Sequence, residues 1–309
     1  MNIVLLDKDT LGDLDLSPLE SLGNLTTYPH TAKELTIERS LDADVVITNK
    51  VVFDKEVIDA LPNLKLIAIA ATGMNNVDLD YAKAKGIEVK NVSGYSTNSV
   101  VQHTFMLALA LIGKLNYYNS YTKSGKWQKS PIFTNLEQPF FEVAGKSWGV
   151  IGLGAIGKEV ARVATAFGAK VSYYSTSKTK HSNEYPHKEL DELMSSCDIV
   201  SIHAPLNENT LNLIDKKELS LLKKGAVLIN VGRGGIVNEE ALADAIENSD
   251  ILVGLDVVSK EPIANNNPLT KVLNRDNIIV TPHNAWGSIE ARAKLLEGIV
   301  KNIKEVFNV

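Results

Sequence analysis

One cysteine in 309 residues excludes an intrachain disulfide framework. No apolar run approaches the roughly 20 residues that a membrane span needs. The chain also lacks a basic excess: its net charge is −5 and its pI about 5.8, so no electrostatic pull on nucleic acid or an anionic membrane is expected. There is no internal repeat and no low-complexity linker, and no metal site is expected. The opening residues, Met1 to Asp7, meet a charge too early for a secretory signal. With the lone Cys197, this points to the cytoplasm. What is present is ordinary for a globular protein, 44% apolar and 22% charged residues, and the length suits two domains. The longest apolar stretch, Ser99 to Gly113, is broken only by Gln102 and His103 and reads as a buried helix. That helix serves either a core or a subunit interface, and His103 on it reads as structural.

Short β-branched runs alternate with helical stretches, the mark of parallel sheets covered on both faces. Strands are expected at 3–6, 45–48, 66–70 and 87–89, with helical pieces at 55–60 and 80–85 between them. A second series starts after Gly145, with strands at 148–151, 171–174, 199–203, 226–229, 251–255 and 278–280. These patterns predict an α/β chain of two doubly wound parallel-sheet domains. The second, over 99–284, is a Rossmann dinucleotide-binding domain inserted into a substrate-binding domain of residues 1–98 and 285–309. A last helix near 288–307 carries Ala291, Leu295, Ile299 and Ile303 on one face, a pattern that suits packing on either domain.

Within the second series, an apolar strand (Trp148 to Ile151) runs directly into Gly152-Leu153-Gly154-Ala155-Ile156-Gly157. A helical pattern follows, stops at Gly168, and gives way to the strand at 171–174. In such a unit the first glycine makes the tight turn, the second lets backbone approach a pyrophosphate, and the third lets helix and strand pack closely. The helix N-terminus then offers unpaired N–H groups to the phosphates, so Ala155 and Ile156 count with the glycines as cofactor contacts. The acidic residue that grips the ribose of NAD is expected about 20 residues on. Position 175 is Ser instead, followed by Thr176, Ser177 and Lys178. Without a carboxylate nothing repels a 2′-phosphate, so the cofactor is NAD or NADP.

Three further segments place polar residues where strands end: Asn230-Val231-Gly232-Arg233-Gly234-Gly235, Asp256-Val257-Val258-Ser259-Lys260-Glu261-Pro262, and Thr281-Pro282-His283-Asn284-Ala285-Trp286. An arginine delivered between glycines suits bidentate binding of a carboxylate. With six histidines in the chain, residue type alone does not single out His283; its place after a strand end does.

Together with the glycine fingerprint, these segments resemble the D-isomer-specific 2-hydroxyacid dehydrogenase family over essentially the whole chain. Ala71-Thr72-Gly73-Met74-Asn75-Asn76-Val77-Asp78 and Asn91-Val92-Ser93-Gly94-Tyr95-Ser96-Thr97 resemble that family's loops too. The resemblance implies that His283 is the general acid or base, that Glu261 holds its other ring nitrogen and raises its pKa, and that Arg233 grips the substrate carboxylate. It implies further carboxylate contacts from backbone around Thr72 and Gly73. Asp256 would touch the nicotinamide carboxamide, and Ala204, Pro205, Val231 and Gly232 would line the cofactor cleft. Within the family, Gly94-Tyr95-Ser96-Thr97 and Pro282-His283-Asn284-Ala285-Trp286 look most like the glycerate dehydrogenase (hydroxypyruvate reductase) branch, with Trp286 walling a small pocket. The expected partner is a small 2-oxo or 2-hydroxy acid, and the expected assembly a homodimer. Rival readings are a D-lactate dehydrogenase, a short phosphoglycerate dehydrogenase without an appended regulatory domain, and an NADH-sensing module like the related corepressors.

Overall fold

The structure is a computed structural model and describes residues 1–177 and 182–309. It divides into two compact units, one of Met1–Ser96 with Gly287–Val309 and one of Thr97–Trp286. The junctions lie two residues outside those expected at 98/99 and 284/285, for local reasons. Thr97 and Asn98 already belong to the long helix of the second unit, and Ala285 and Trp286 pack on that unit's core.

In the first unit, β1 (Asn2–Leu5), β2 (Asn24–Thr27), β3 (Val45–Thr48), β4 (Leu66–Ile69) and β5 (Glu88–Lys90) form a parallel sheet in the order β2-β1-β3-β4-β5. β3 and β4 are apolar without alternation because both their faces are covered. The edge strand β2 was not among the expected strands. Its sequence Asn-Leu-Thr-Thr has one apolar residue, and its pairing with β1 alone makes it a strand. The helices α1 (Ser17–Glu20), α2 (Thr36–Ser40), α3 (Lys55–Asp59) and α4 (Leu79–Ala84) connect the strands. The strand order reverses between β1 and β3, and Asp7 lies just past that point. Its buried carboxylate accepts from Asn49 N (2.8 Å), Lys50 N (2.8 Å) and Thr48 Oγ1 (3.1 Å), so it shapes the turn that follows β3.

The second unit begins with α5 (Thr97–Ile112) and α6 (Leu115–Lys123). Its sheet contains β6 (Ser147–Ile151), β7 (Lys170–Tyr174), β8 (Ile199–Ile202), β9 (Val227–Asn230), β10 (Leu252–Leu255) and β11 (Ile278–Val280). All are parallel, in the order β7-β6-β8-β9-β10-β11. The helices α7 (Ala155–Ala166), α8 (Leu190–Ser196), α9 (Lys216–Leu221) and α10 (Glu239–Asn248) make the crossovers. Side chains on the two faces feed two cores. Trp148, Val150, Val171 and Ile229 join α5 and α7, while Ile151, Val200, Leu228 and Val253 join α8 to α10. The order reverses between β6 and β8, where a doubly wound sheet opens its ligand crevice.

The last helix, α11 (Ile289–Phe307), belongs to the first unit and packs on β4. Asn302 Nδ2 donates to Asn91 O at 3.0 Å, and Lys90 pairs with Glu305 at 2.9 Å. Among the described residues, no helix is long and apolar enough to cross a membrane.

Candidate active site

Because every strand of the second sheet is parallel, all six carry their following loops to one edge. The expected residues therefore fall into order along it: Gly152–Gly157 after β6, Ser175 and Thr176 after β7, Ala204 and Pro205 after β8. Val231, Gly232 and Arg233 follow β9, Asp256 and Glu261 follow β10, and His283 follows β11. Thr72 and Gly73 lie in the first unit, just beyond β4.

Gly152 has φ +90°, a value that L side chains rarely adopt, and α7 starts so close to it that a Cβ on Gly157 would sit 2.0 Å from Gly152 O. Gly154 caps α7 with no side-chain bond, and a Cβ there would meet no atom within 4 Å. Open space in front of unpaired helix N–H groups fits a dinucleotide pyrophosphate. At the crevice itself, His203 follows directly on β8. Trp148 Nε1 donates to Ser201 Oγ at 2.9 Å, and that hydroxyl lies 3.0 Å from His203 Nε2. An indole only donates, so Ser201 Oγ accepts from Trp148 and keeps its own proton to give to an unprotonated Nε2. Nδ1 is buried without a partner among the described residues, and burial lowers the His203 pKa to about 3. An uncharged imidazole at the crevice suits a cofactor contact. Ala204 beside it is buried and Pro205 exposed.

Past β7, Ser175 is buried and its hydroxyl lies 3.1 Å from Ser177 Oγ, with Thr176 half-buried beyond. The hydroxyl expected to face a ribose phosphate thus has a neighbour of its own. Lys178 lies outside the described residues.

The turn after β9 is built by Asn230, which is 2% exposed. Its Oδ1 accepts from Gly232 N (3.1 Å) and its Nδ2 donates to Arg233 O (3.0 Å), so one amide closes the turn that presents the arginine. Arg233 Nη1 donates to Gly232 O at 2.8 Å.

His283 and Glu261 come together: Nδ1 lies 2.6 Å from Oε2, with both side chains partly exposed. His283 has φ +51°, a left-handed conformation that costs a non-glycine residue roughly 1 to 2 kcal/mol. Asp256 holds the loop in that shape. Its carboxylate is buried and accepts from Thr281 Oγ1 (2.6 Å), Asn284 N (3.0 Å) and Ala285 N (2.9 Å). The nicotinamide contact expected of Asp256 thus belongs to a group already occupied by the His283 loop. His103, from α5, stands behind it with Nε2 2.8 Å from Thr281 Oγ1 and 3.4 Å from Asp256 Oδ1. Burial lowers the His103 pKa while Asp256 opposes the shift. The structural role expected of His103 is therefore support of the loop that carries His283. Trp286, expected as a pocket wall, packs partly buried against the core of the second unit.

A parallel α/β sheet with a glycine turn at its switch point, and a hydrogen-bonded His–Glu pair along the same edge, fits a nicotinamide-dependent oxidoreductase. Residues 105–285 match the family model "D-isomer specific 2-hydroxyacid dehydrogenase, NAD binding domain". A hydroxypyruvate reductase of Blautia hydrogenotrophica is 38% identical over 313 residues, covering 99% of this chain and 96% of its own. A glycerate dehydrogenase of Methylorubrum extorquens is 36% identical over 303 residues, 94% of each chain. Among solved structures, the NADPH-dependent glyoxylate/hydroxypyruvate reductase of Sinorhizobium meliloti, in complex with NADP and malonate, superposes with a TM-score of 0.84 at 27% identity, covering 100% of this chain and 94% of that one. The chain belongs to the D-isomer-specific 2-hydroxyacid dehydrogenase family, in its glycerate dehydrogenase branch.

Proposed function

We propose that this enzyme reduces hydroxypyruvate to D-glycerate, and glyoxylate alongside it, with NADH or NADPH. The observation that carries the reading is the Glu261–His283 pair at the edge where the dinucleotide turn and Arg233 also lie. The bound nicotinamide supplies the hydride. His283, holding Glu261 through Nδ1, has Nε2 to give a proton to the carbonyl oxygen as the hydride arrives, and takes it back in the reverse direction. Glu261 fixes the ring orientation and stabilises the charged imidazolium. Arg233 neutralises the substrate carboxylate and orients the carbonyl, a task that a planar fork of donors performs better than a point charge. Gly152 to Gly157, Val231, Gly232, Ala204 and Pro205 form the cofactor side of the crevice.

The names of the two relatives and of the Sinorhizobium structure support the substrate class. Oxidation of NADH and of NADPH, followed optically with hydroxypyruvate, glyoxylate, pyruvate and phosphohydroxypyruvate, tests the assignment. No turnover with any of them would sink the enzyme reading in favour of a cofactor sensor. Pyruvate as the best substrate would replace the glycerate assignment with lactate.

We also infer a homodimer in the cytoplasm. In the connection between α6 and β6, Phe133 is 89% and Leu136 74% exposed, and Trp127, Ile132 and Phe140 are exposed with them. So many large apolar side chains in one short stretch exceed what scattered surface residues explain, and a second copy of the chain is the partner that covers them. The buried free thiol of Cys197 is in keeping with a reducing compartment.

A further inference from the structure

Glu239 opens α10, six residues beyond Arg233, and the reaction scheme leaves it without a role. Its carboxylate takes three hydrogen bonds from a single loop. Oε1 accepts from Ser259 N at 2.5 Å, while Oε2 accepts from Ser259 Oγ at 2.6 Å and from Asn267 Nδ2 at 2.8 Å. Those donors lie on either side of Glu261, so one carboxylate ties both limbs of the loop that carries it. Val258, next to Ser259, donates its N–H back to Glu261 Oε1 at 3.3 Å, which extends the anchorage to the Glu261 side chain.

The same stretch of chain touches the loop a second time. Gly234 packs so tightly on it that a Cβ there would lie 1.9 Å from Val258 O. The segment from Arg233 to Glu239 is thus fastened to the Val258–Asn267 loop at both of its ends. Helix capping does not account for Glu239. Asn238 Oδ1 already takes the Glu240 and Ala241 N–H groups, at 3.1 and 3.2 Å, and Glu240 also places an acid in the first turn.

We propose that Glu239 is a positioning residue: it sets Glu261 against His283 Nδ1 and keeps that pair in register with Arg233. This rests on the acid–base reading of Glu261 and His283. Without the clamp the loop shifts, Glu261 withdraws from the imidazole, and the charged form of His283 loses its stabilising neighbour.

The test compares wild type, Glu239→Ala, Glu261→Gln, the double variant and His283→Ala in hydroxypyruvate reduction across the pH range, with NADH affinity read by fluorescence quenching. Glu239→Ala should lose roughly 10- to 100-fold in kcat, keep its NADH affinity, and move the alkaline limb of kcat/KM to lower pH. In the Glu261→Gln background the same change should add little, because it acts through Glu261. Ser259→Ala, which removes one of the three bonds and leaves α10 untouched, should move the limb the same way by less, and keeps the test open if Glu239→Ala fails to fold. An unmoved alkaline limb in both variants would overturn the proposal, as would full additivity with Glu261→Gln. An inactive His283→Ala beside a wild-type Glu239→Ala overturns this inference alone; a fully active His283→Ala overturns the acid–base reading with it.

Discussion

His283 Nδ1 lies 2.6 Å from Glu261 Oε2 although the two residues are 22 positions apart and their strands, β10 and β11, are merely neighbours. The histidine reaches that position only by taking a left-handed backbone conformation. A ring held at one nitrogen leaves its other nitrogen available, which is what the proposed role of His283 requires. Replacing His283 with Ala should lower kcat for hydroxypyruvate reduction by about 10²- to 10⁴-fold and leave NADH affinity unchanged. Stopped-flow turnover and fluorescence titration separate the two. A variant that kept its turnover would place the proton donor elsewhere.

Glu261→Gln removes the negative charge while keeping an oxygen beside Nδ1. An opposite charge within a few ångströms favours the protonated imidazole, and reduction needs that form. The alkaline limb of kcat/KM for reduction should therefore move to lower pH, and the limb for glycerate oxidation, which needs the neutral ring, should begin at lower pH too. Matching profiles for variant and wild type would show that Glu261 orients the ring without stabilising its charge.

The strand ends that precede Arg233, Glu261 and His283 were legible in the sequence because a parallel sheet sends every strand end to one edge. Placing the strands at 226–229, 251–255 and 278–280 puts the three residues on that edge, while the roles given to them come from the family resemblance. The doubly wound second domain was legible for the same reason: buried parallel strands leave unbroken apolar runs. What escaped was set by partners distant in sequence. The strand β2 exists through its pairing with β1, since Asn-Leu-Thr-Thr carries no strand pattern. The role of Glu239 depends on Ser259 and Asn267, 20 and 28 residues away, and in sequence it is one of two acids at a helix start. The support that His103 gives the His283 loop depends on Thr281, 178 residues on. A face of apolar residues on α11 fits either domain until Asn91 and Lys90 are seen to meet it.

At the far end of β7, Ser175 occupies the place of the acid that holds the ribose hydroxyls of NAD. Ser175→Asp introduces a carboxylate there, which accepts from those hydroxyls and repels a 2′-phosphate. The ratio of kcat/KM for NADH over that for NADPH should rise by about tenfold or more, chiefly through a higher KM for NADPH. An unchanged ratio would show that cofactor choice is made by other residues.

Arg233 is presented by the Asn230 amide and flanked by glycines. Lysine keeps the charge but not the fork. Arg233→Lys should lower kcat/KM for hydroxypyruvate by about 10- to 100-fold, while NADH affinity, which does not use the guanidinium, stays the same. Loss of NADH affinity in this variant would assign the arginine to the cofactor and not to the substrate carboxylate.

His203 offers a prediction about stability that does not depend on turnover. Its pKa is depressed from 6.5 to about 3 by burial, so the folded protein holds it neutral where the unfolded chain takes up a proton. For a base lowered on folding, the unfolded state binds more protons between the two values, so this group makes stability fall as pH drops from about 6.5 toward 3, by about 1.4 kcal/mol per pH unit at most. Asp7 works in the opposite sense. Burial raises its pKa, so its own contribution favours the fold as pH falls. Comparing His203→Gln with wild type cancels the Asp7 effect and those of the other carboxylates. Thermal unfolding of the cofactor-free protein at pH 7.5 and at pH 5 should show a smaller acid-induced fall in Tm for the variant, even if its Tm at pH 7.5 is lower. An equal fall in both proteins would mean that the imidazole is protonated within the fold, by water or a rotated side chain reaching Nδ1.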